Sequence, residues 1–362
     1  MKSVFICVVS LFICVLTTIA KTVSPSQNAH FMKIIFMGTP ALAVGFLERL
    51  HREHEIVAVV TQPDKAAGRS RSALQAPPLK KWANEHSIAV LQPERARNAE
   101  FVEELRAFGC DAIAVVAYGQ ILPREILEMP RLGCLNAHFS LLPRWRGAAP
   151  VQHSLLAGNQ KTGVTIQYMA QKLDAGDIVT QIEYSIAPDE TTGDLWNNLT
   201  PIGAEALSQA LQQLENATAN RTPQDETQIT WAPQLTREDG HLNWRDNAQN
   251  LHNRVRGTNP WPGAWTTWNN AVLKVWRTQI AANFPNDVAS NSIGKIVAVE
   301  NDAIVVATAN GALRLLEIQP EGRPKMRAGD WARGARLQRG QTLGETAPSE
   351  TAPSETAPSV AR

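Results

Sequence analysis

"KIIFMGTPALAVGFLERLHREHEIVAVVT", Lys33–Thr61, decides how the chain is read. It opens on KIIFM, an apolar run without polar alternation, the pattern of a strand covered on both faces in a parallel sheet. GTP turns the chain. Pro40 suits the first turn of a helix, because its fixed φ is already helical and its missing N–H would have no partner there. Leu42, Val44, Phe46, Leu47 and Leu50 then form an imperfect helical face, and EIVAVVT (Glu55–Thr61) reads as a second strand. The alternation continues in SIAVL (Ser87–Leu91) and DAIAVVA (Asp111–Ala117), separated by helical segments around Pro77–Glu85 and Ala99–Phe108. Strand and helix in turn predict an α/β domain with a parallel sheet and helices on both faces.

Working outward, GVTIQYM (Gly163–Met169) and DIVTQIEY (Asp177–Tyr184) read as two more strands, and a helix is expected from about Thr192 to Ala217. The polar, turn-rich stretch Asn216–Gln228 has the composition of a linker,. Beyond it the strands AVLKVWRTQI, GKIVAVE, AIVVATA and ALRLLEIQ are short and broken by Gly, Asn and Asp, which suggests a small β-barrel,. The expected division is therefore an α/β domain over 32–218, a linker over 219–234, a barrel over 235–343 and a disordered tail over 344–362. That tail repeats ETAPS three times and, with Val360 as its one larger aliphatic residue, offers almost nothing for burial,. A chain of 362 residues fits more than one core, since single cores rarely grow past roughly 250 residues,.

The net charge of +1 excludes a uniform polycation. Between Leu235 and Leu343, however, 14 Lys/Arg face 9 Asp/Glu, an excess of five positive charges that suits an anionic polymer,. Of the cysteines, Cys7 and Cys14 lie near the start, and Cys110 and Cys134 lack metal-ligand spacing, so no disulfide framework is expected,. The opening MKSVFICVVSLFICVLTTIA has the layout of a secretory signal peptide,. Met32 directly precedes the first strand and is the expected true start.

NAHFSLLPRWRGAAP (Asn136–Pro150) carries the chemistry. If LGCL before it is a strand, Asn136 and His138 point to one face at its carboxyl end, where open α/β sheets place their sites. Asn136 offers an N–H donor to a developing oxyanion, and His138 can accept or donate a proton near neutral pH. KLDAGD supplies Asp174 and Asp177 to orient and balance the imidazole. No serine or cysteine has the surroundings of an activated nucleophile, so the pattern suits acyl transfer without a covalent intermediate. His138 with two aspartates also has the composition of a metal site, but neither that reading nor a stray surface histidine explains why SLLPRWRGAAP follows at once.

From Met32 to about Leu343 the sequence resembles the methionyl-tRNA formyltransferases. The resemblance rests on FMGTP, VTQPDKAAGR, AYGQILP, SLLPRWRGAAP, GVTIQYM…LDAGDI, TPQDET, APQLTREDGHLNW, NPWPGAW and LQPEGRPKMRAGDWARGARL, in that order. It implies a Rossmann-like formyltransferase domain followed by an OB-like barrel. It also implies transfer of a formyl group from 10-formyltetrahydrofolate to the α-amino group of methionine on initiator methionyl-tRNA, without a metal. Asn136, His138 and Asp174 match the family's catalytic trio, and Ser140, Leu141, Leu142 and Pro143 match its folate-binding segment. The loop QPDKAAGRSRSALQ resembles the one that enters the acceptor end of the tRNA, with Arg69 at the family's arginine position and Arg71 as the next charge. Ser70 departs there from the usual glycine. Trp261 and Trp265 of NPWPGAW are expected in the barrel core. A folate donor and an aminoacyl-tRNA imply a cytoplasmic protein, expected to be a monomer without membrane contact. The alternatives are a formyltransferase for another amine, such as a nucleotide sugar, and a tRNA-binding protein without catalysis.

Overall fold

The structure, a computed structural model, describes residues 31–67, 73–282, 284 and 290–344. The signal-like stretch, the ETAPS repeats, Arg69 and Arg71 lie outside the described residues. From Lys33 the chain builds β1 (Lys33–Gly38), α1 (Ala41–His51), β2 (Glu55–Val60), a hairpin of β3 (Lys65–Ala67) and β4 (Ala73–Gln75), α2 (Pro78–Glu85) and β5 (Val90–Leu91). Next come α3 (Ala99–Arg106), β6 (Ala112–Val116), α4 (Arg124–Leu127), β7 (Cys134–His138), α5 (Pro150–Leu156), β8 (Lys161–Tyr168), β9 (Ile178–Ser185) and α6 (Thr192–Glu215).

These strands form one sheet in the order β5-β2-β1-β6-β7-β8-β9. β5 to β7 run parallel, as the apolar runs predict. β8 and β9 add antiparallel strands, a departure from the expected parallel sheet. One face carries Ile35, Met37, Val60, Ile113 and Val115 against Phe101, Val102 and Leu105 of α3. α6 covers another part of the sheet, alongside α1. A Cβ on its Gly203 would stand 2.7 Å from Phe46 Cζ and 3.1 Å from Val164 Cγ1, so a larger residue would push this helix away. Its start is set by a capping box in which Thr191 accepts from the Asp194 N–H and Asp194 accepts from the Thr191 N–H at 3.0 Å,.

The second part comprises α7 (Ala248–Gly257), β10 (Ala264–Trp268), β11 (Ala271–Ile280), β12 (Ile296–Val299), β13 (Ile304–Ala307), β14 (Ala312–Pro320), β15 (Met326–Arg327) and α8 (Ala328–Gly334). Its antiparallel strands run β10-β11-β14-β13-β12, with β15 beside β14, and among the described residues the ladder does not close into a full barrel. The core is built from Leu242, Trp244, Leu251, Val275, Leu313, Leu315 and Trp331. Trp261 is not in it: its side chain is 51% exposed. Trp265 is only half-buried and donates its indole N–H to the Arg237 carbonyl at 3.1 Å. The polar indole edge and the flanking prolines keep both rings at the rim.

The two parts are joined directly. Thr192 Oγ1 donates to the Gly257 carbonyl at 2.7 Å, the Gly193 N–H to the Asn259 carbonyl at 3.1 Å, and His252 Nε2 lies 3.2 Å from the Pro188 carbonyl. The connecting stretch 219–234 is not a free tether. Thr222 bridges Ile178, and Arg146 pairs with Trp231. Its polar composition reflects hydrogen bonds to the first domain as much as exposure to water.

Candidate active site

β1, β6 and β7 end on the same side of the sheet. The chain leaving them, at Pro40–Gly45, Ala117–Leu122 and Asn136–Phe139, lines a cavity of about 1130 Å³. β2 and β5 lie on one side of β1, and β6 and β7 on the other. The cavity therefore opens where the strand order reverses, the place where connections diverge and leave a crevice. Gly38 makes the approach possible: a Cβ there would stand 2.7 Å from the Val116 carbonyl oxygen. Thr39 Oγ1 and Gln62 Nε2 each donate to the Tyr118 carbonyl at 3.1 Å, tying together the segments that leave β1, β2 and β6. Tyr118 lines the cavity, and its buried hydroxyl has no hydrogen-bond partner among the described residues. Burial pushes that hydroxyl up to about 12, so it stays a neutral donor,.

Asn136 and His138 alternate along β7 and share a face, as the spacing predicts,. Asn136 Nδ2 donates to the Val115 carbonyl at 3.1 Å, and Asn136 Oδ1 accepts from Gln167 Nε2 at 3.3 Å. One N–H of the Asn136 amide is thereby left for a ligand. His138 is buried, with Nε2 2.9 Å from the Trp145 carbonyl. A carbonyl only accepts, so Nε2 carries a proton. In the neutral ring Nδ1 then presents its lone pair, 3.7 Å from Asp174 Oδ1. A proton arriving at Nδ1 would face that carboxylate.

Asp174 sits in the β8–β9 connection with φ +48°, a left-handed backbone that turns its side chain back toward β7,. Its Oδ2 accepts the Gly147 N–H at 2.9 Å and its Oδ1 accepts Gln167 Nε2 at 3.2 Å. Gly147 has φ +127°, and a Cβ there would lie 2.6 Å from the Ala232 carbonyl, so glycine is needed for this donor to reach the carboxylate,. Asp177, the other aspartate of KLDAGD, stays outside and pairs with Arg221 at 3.3 Å. Among the described residues no group of three or more His, Cys, Asp or Glu could hold a metal ion.

The structure places Ser140–Pro143 directly after β7, against β8 and β9. The turn is not part of the cavity wall, although its neighbours Phe139 and Gly147 are. Ser140 is fully buried and donates to the Arg144 carbonyl at 2.6 Å, while its own carbonyl accepts from Thr165 Oγ1 at 2.6 Å. The Leu142 N–H donates to Thr165 Oγ1 at 3.1 Å, and the Leu142 carbonyl accepts from Gln181 Nε2 at 2.7 Å. The Leu142–Pro143 bond is cis. These polar groups are already paired inside the protein, so the turn acts as a rigid base beneath Asn136 and His138.

Four participants escape the sequence reading: the Trp145 carbonyl, Arg146, Gln167 and Gln224. Arg146 is fully buried, and its Nε and Nη2 donate to Gln224 Oε1 at 3.1 and 2.7 Å. Gln167 lies opposite Asn136 in the β7–β8 register. A glutamine inside the apolar run of GVTIQYM was the available signal. For Gln224 composition offered none, and only the place of TPQDET among the motifs of the resemblance marked that stretch.

The formyl transferase family model matches residues 32–211, and that of the formyl transferase C-terminal domain matches residues 234–336. The methionyl-tRNA formyltransferase of Clostridioides difficile is 41% identical over 314 residues, covering 86% of this chain and 100% of that protein. The chain belongs to the methionyl-tRNA formyltransferase family. The Bacillus subtilis relative is 43% identical over 315 residues, with 86% of this chain and 98% of the relative covered. The fold is shared with HypX from Aquifex aeolicus, solved in complex with tetrahydrofolic acid, at 18% identity and a TM-score of 0.58 over 83% of this chain and 47% of that one. No helix among the described residues is long and apolar enough to cross a membrane.

Proposed function

We propose that Asn136, His138 and Asp174 carry out formyl transfer from 10-formyltetrahydrofolate to the α-amino group of methionine on initiator methionyl-tRNA, for translation initiation. One observation carries this reading: an amide N–H, an imidazole and a carboxylate converge on the wall of a cavity large enough for a pterin. The amine nitrogen attacks the formyl carbon, and a C–N bond forms as the carbonyl becomes an oxyanion. The free N–H of Asn136 is a donor for that oxyanion, and His138 Nδ1, beside Asp174, accepts the proton that the amine gives up. The carbon–N10 bond then breaks, the amine gives up a proton, and N10 takes one. Asp174 holds His138 and balances the charge that the ring gains. One oxyanion donor contributes about 2.7–4 kcal/mol to lowering such a barrier.

The residues present fit the donor. Apolar walls at Leu42, Ile121, Leu122 and Met169 suit a flat ring, and the neutral Tyr118 hydroxyl and the Gln152 amide offer polar contacts,. In this reading Ser140, Leu141, Leu142 and Pro143 support the folate site from beneath. The segment 32–218 is the catalytic domain, 219–234 connects, and 235–343 holds tRNA. Arg69 and Arg71 would meet its acceptor end, where a guanidinium can both contact phosphate and stack on a splayed base. The exposed Arg323, Lys325 and Arg327 are well placed for phosphates farther along,. The expected setting is the cytoplasm and the expected state a monomer. Formyl transfer is to be measured onto charged initiator tRNA, charged elongator tRNA and a nucleotide-sugar amine. Turnover with the initiator alone supports the reading, and preference for the sugar amine overturns it.

A further inference from the structure

The amides around the site form a directed chain. Arg146 only donates, and it gives two N–H groups to Gln224 Oε1, at 3.1 and 2.7 Å. That leaves Gln224 Nε2 facing acceptors: the carbonyls of Asp174 at 2.9 Å and Gly176 at 2.8 Å, and Gln167 Oε1 at 3.2 Å. Gln167 is then also fixed, with its Nε2 toward Asn136 Oδ1 at 3.3 Å and Asp174 Oδ1 at 3.2 Å. At the far end Asn136 Nδ2 meets the Val115 carbonyl, which only accepts. A flip of any one amide would set donor against donor or oxygen against oxygen, and in this buried setting such a mismatch is costly.

We propose that Gln167 and Gln224 are positioning residues that set which end of the Asn136 carboxamide faces the reacting carbon. Arg146, held between Gln224 and Glu226, is the anchor that sets the direction. Without Gln167 only the Val115 carbonyl holds the Asn136 amide, and its oxygen loses the donor that keeps it turned away from the oxyanion. Gln167 is 1% exposed, so water does not replace its bonds readily. The segment leading to the C-terminal domain thereby supplies part of the catalytic setting. This inference rests on the proposed role of Asn136 as an oxyanion donor.

The test compares Gln167→Met, Gln224→Met, Asn136→Ala and the double variant Asn136→Ala/Gln167→Met in steady-state formyl transfer. Gln167→Met is expected to lower kcat about 10–100-fold with both KM values within about threefold, and Gln224→Met to lower it about 3–10-fold. In the Asn136→Ala background, Gln167→Met should cost no more than about a further twofold, because its effect passes through Asn136. Near-native kcat in Asn136→Ala overturns the reading of the site itself. A crippled Asn136→Ala beside a near-native Gln167→Met, or full multiplication of the two losses, overturns the relay alone. If Gln167→Met does not fold, the same cycle is run with Gln224→Met, whose side chain is only half-buried. Gln167→Glu adds a readout that a packing role would not move. The new carboxyl faces Asp174 and, beyond it, His138, with the Arg146–Glu226 pair behind Gln224. It can donate only while protonated, so kcat should fall with rising pH over a range where the parent protein is flat. A profile identical in shape to the parent's overturns the relay.

Discussion

At the end of β7 an imidazole, three amides, a guanidinium and a carboxylate share a small, mostly buried volume, each held by a named partner. The C-terminal sheet is built the other way. Leu273, Val275, Ile304, Val306, Leu313 and Leu315 fill its inside, with no charged side chain among the residues of that cluster. Apolar packing tolerates some rearrangement, because it is non-directional and depends mainly on volume. A hydrogen-bond relay does not, because each member has a direction. Substitutions in the first region should therefore change chemistry more than stability, and those in the second the reverse.

The sharpest way to break that contrast is at the trio. Asn136→Ala is expected to lower kcat by about 10²–10³-fold, the effect of losing one oxyanion donor, and His138→Ala by about 10²–10³-fold through loss of the proton acceptor. Asp174→Ala should be at least as severe, because it frees both His138 and the Gly147 loop. Circular dichroism should show little change. If His138→Ala turns over near the native rate while still binding folate, the acid/base role is wrong.

Leu313→Ala probes the other region. The side chain is fully buried in the apolar cluster, and its loss should destabilise the protein by about 2–5 kcal/mol,. Urea titration measures this, and kcat of the folded fraction should stay within a small factor of the parent's. A large drop in kcat without loss of stability would erase the distinction between the regions.

A smaller effect is expected on the surface of the C-terminal part. Arg323→Ala and Lys325→Ala should each weaken tRNA binding without altering kcat at saturation. Each should also lower the slope of log affinity against log salt by about one if the residue meets a phosphate. Filter binding across a salt series decides it, and an unchanged slope in both variants moves the tRNA surface elsewhere.

The mildest expectation concerns two buried histidines, one in the α/β part and one in the C-terminal part. Burial holds His54 and His252 below the ordinary histidine range. As the pH drops, the unfolded chain therefore binds protons before the folded one does. The stability involved is fully present above the ordinary histidine pKa and is lost as the pH falls through the lowered folded value. Unfolding free energy measured from pH 8 down to pH 5 should decline, and His54→Gln should flatten part of that decline. His252 Nδ1 lies 3.0 Å from Thr278 Oγ1, and its other nitrogen faces the Pro188 carbonyl, so His252→Gln should also loosen the joint between the two parts. An equally steep decline in both variants would show that other groups set the acid limit.

The sequence by itself determined the parallel start of the sheet, because KIIFM, EIVAVV and AIAVV can be buried on both faces only there. It also determined that Asn136 and His138 share a face, since a strand allows no other outcome at that spacing. The resemblance supplied Asp174, and the fold brings it to the imidazole. Only the tertiary structure decided the rest. Asp174 rather than Asp177 reaches His138 because a left-handed residue and the bare backbone of Gly147 let the two loops meet. The Ser140–Pro143 turn spends its polar groups inward because Thr165 and Gln181 of the neighbouring strands reach them first. Trp261 stays at the rim, held there by its flanking prolines, while Trp244 and Trp331 take the core positions. Gln224 joins the site across a long stretch of chain because Arg146, buried without an acidic partner of equal burial, must find acceptors on whatever segment crosses it. Spacing along a strand is local and can be read from the residues in order. Which donor meets which acceptor depends on backbone paths far apart in sequence, and those paths exist only once the chain has folded.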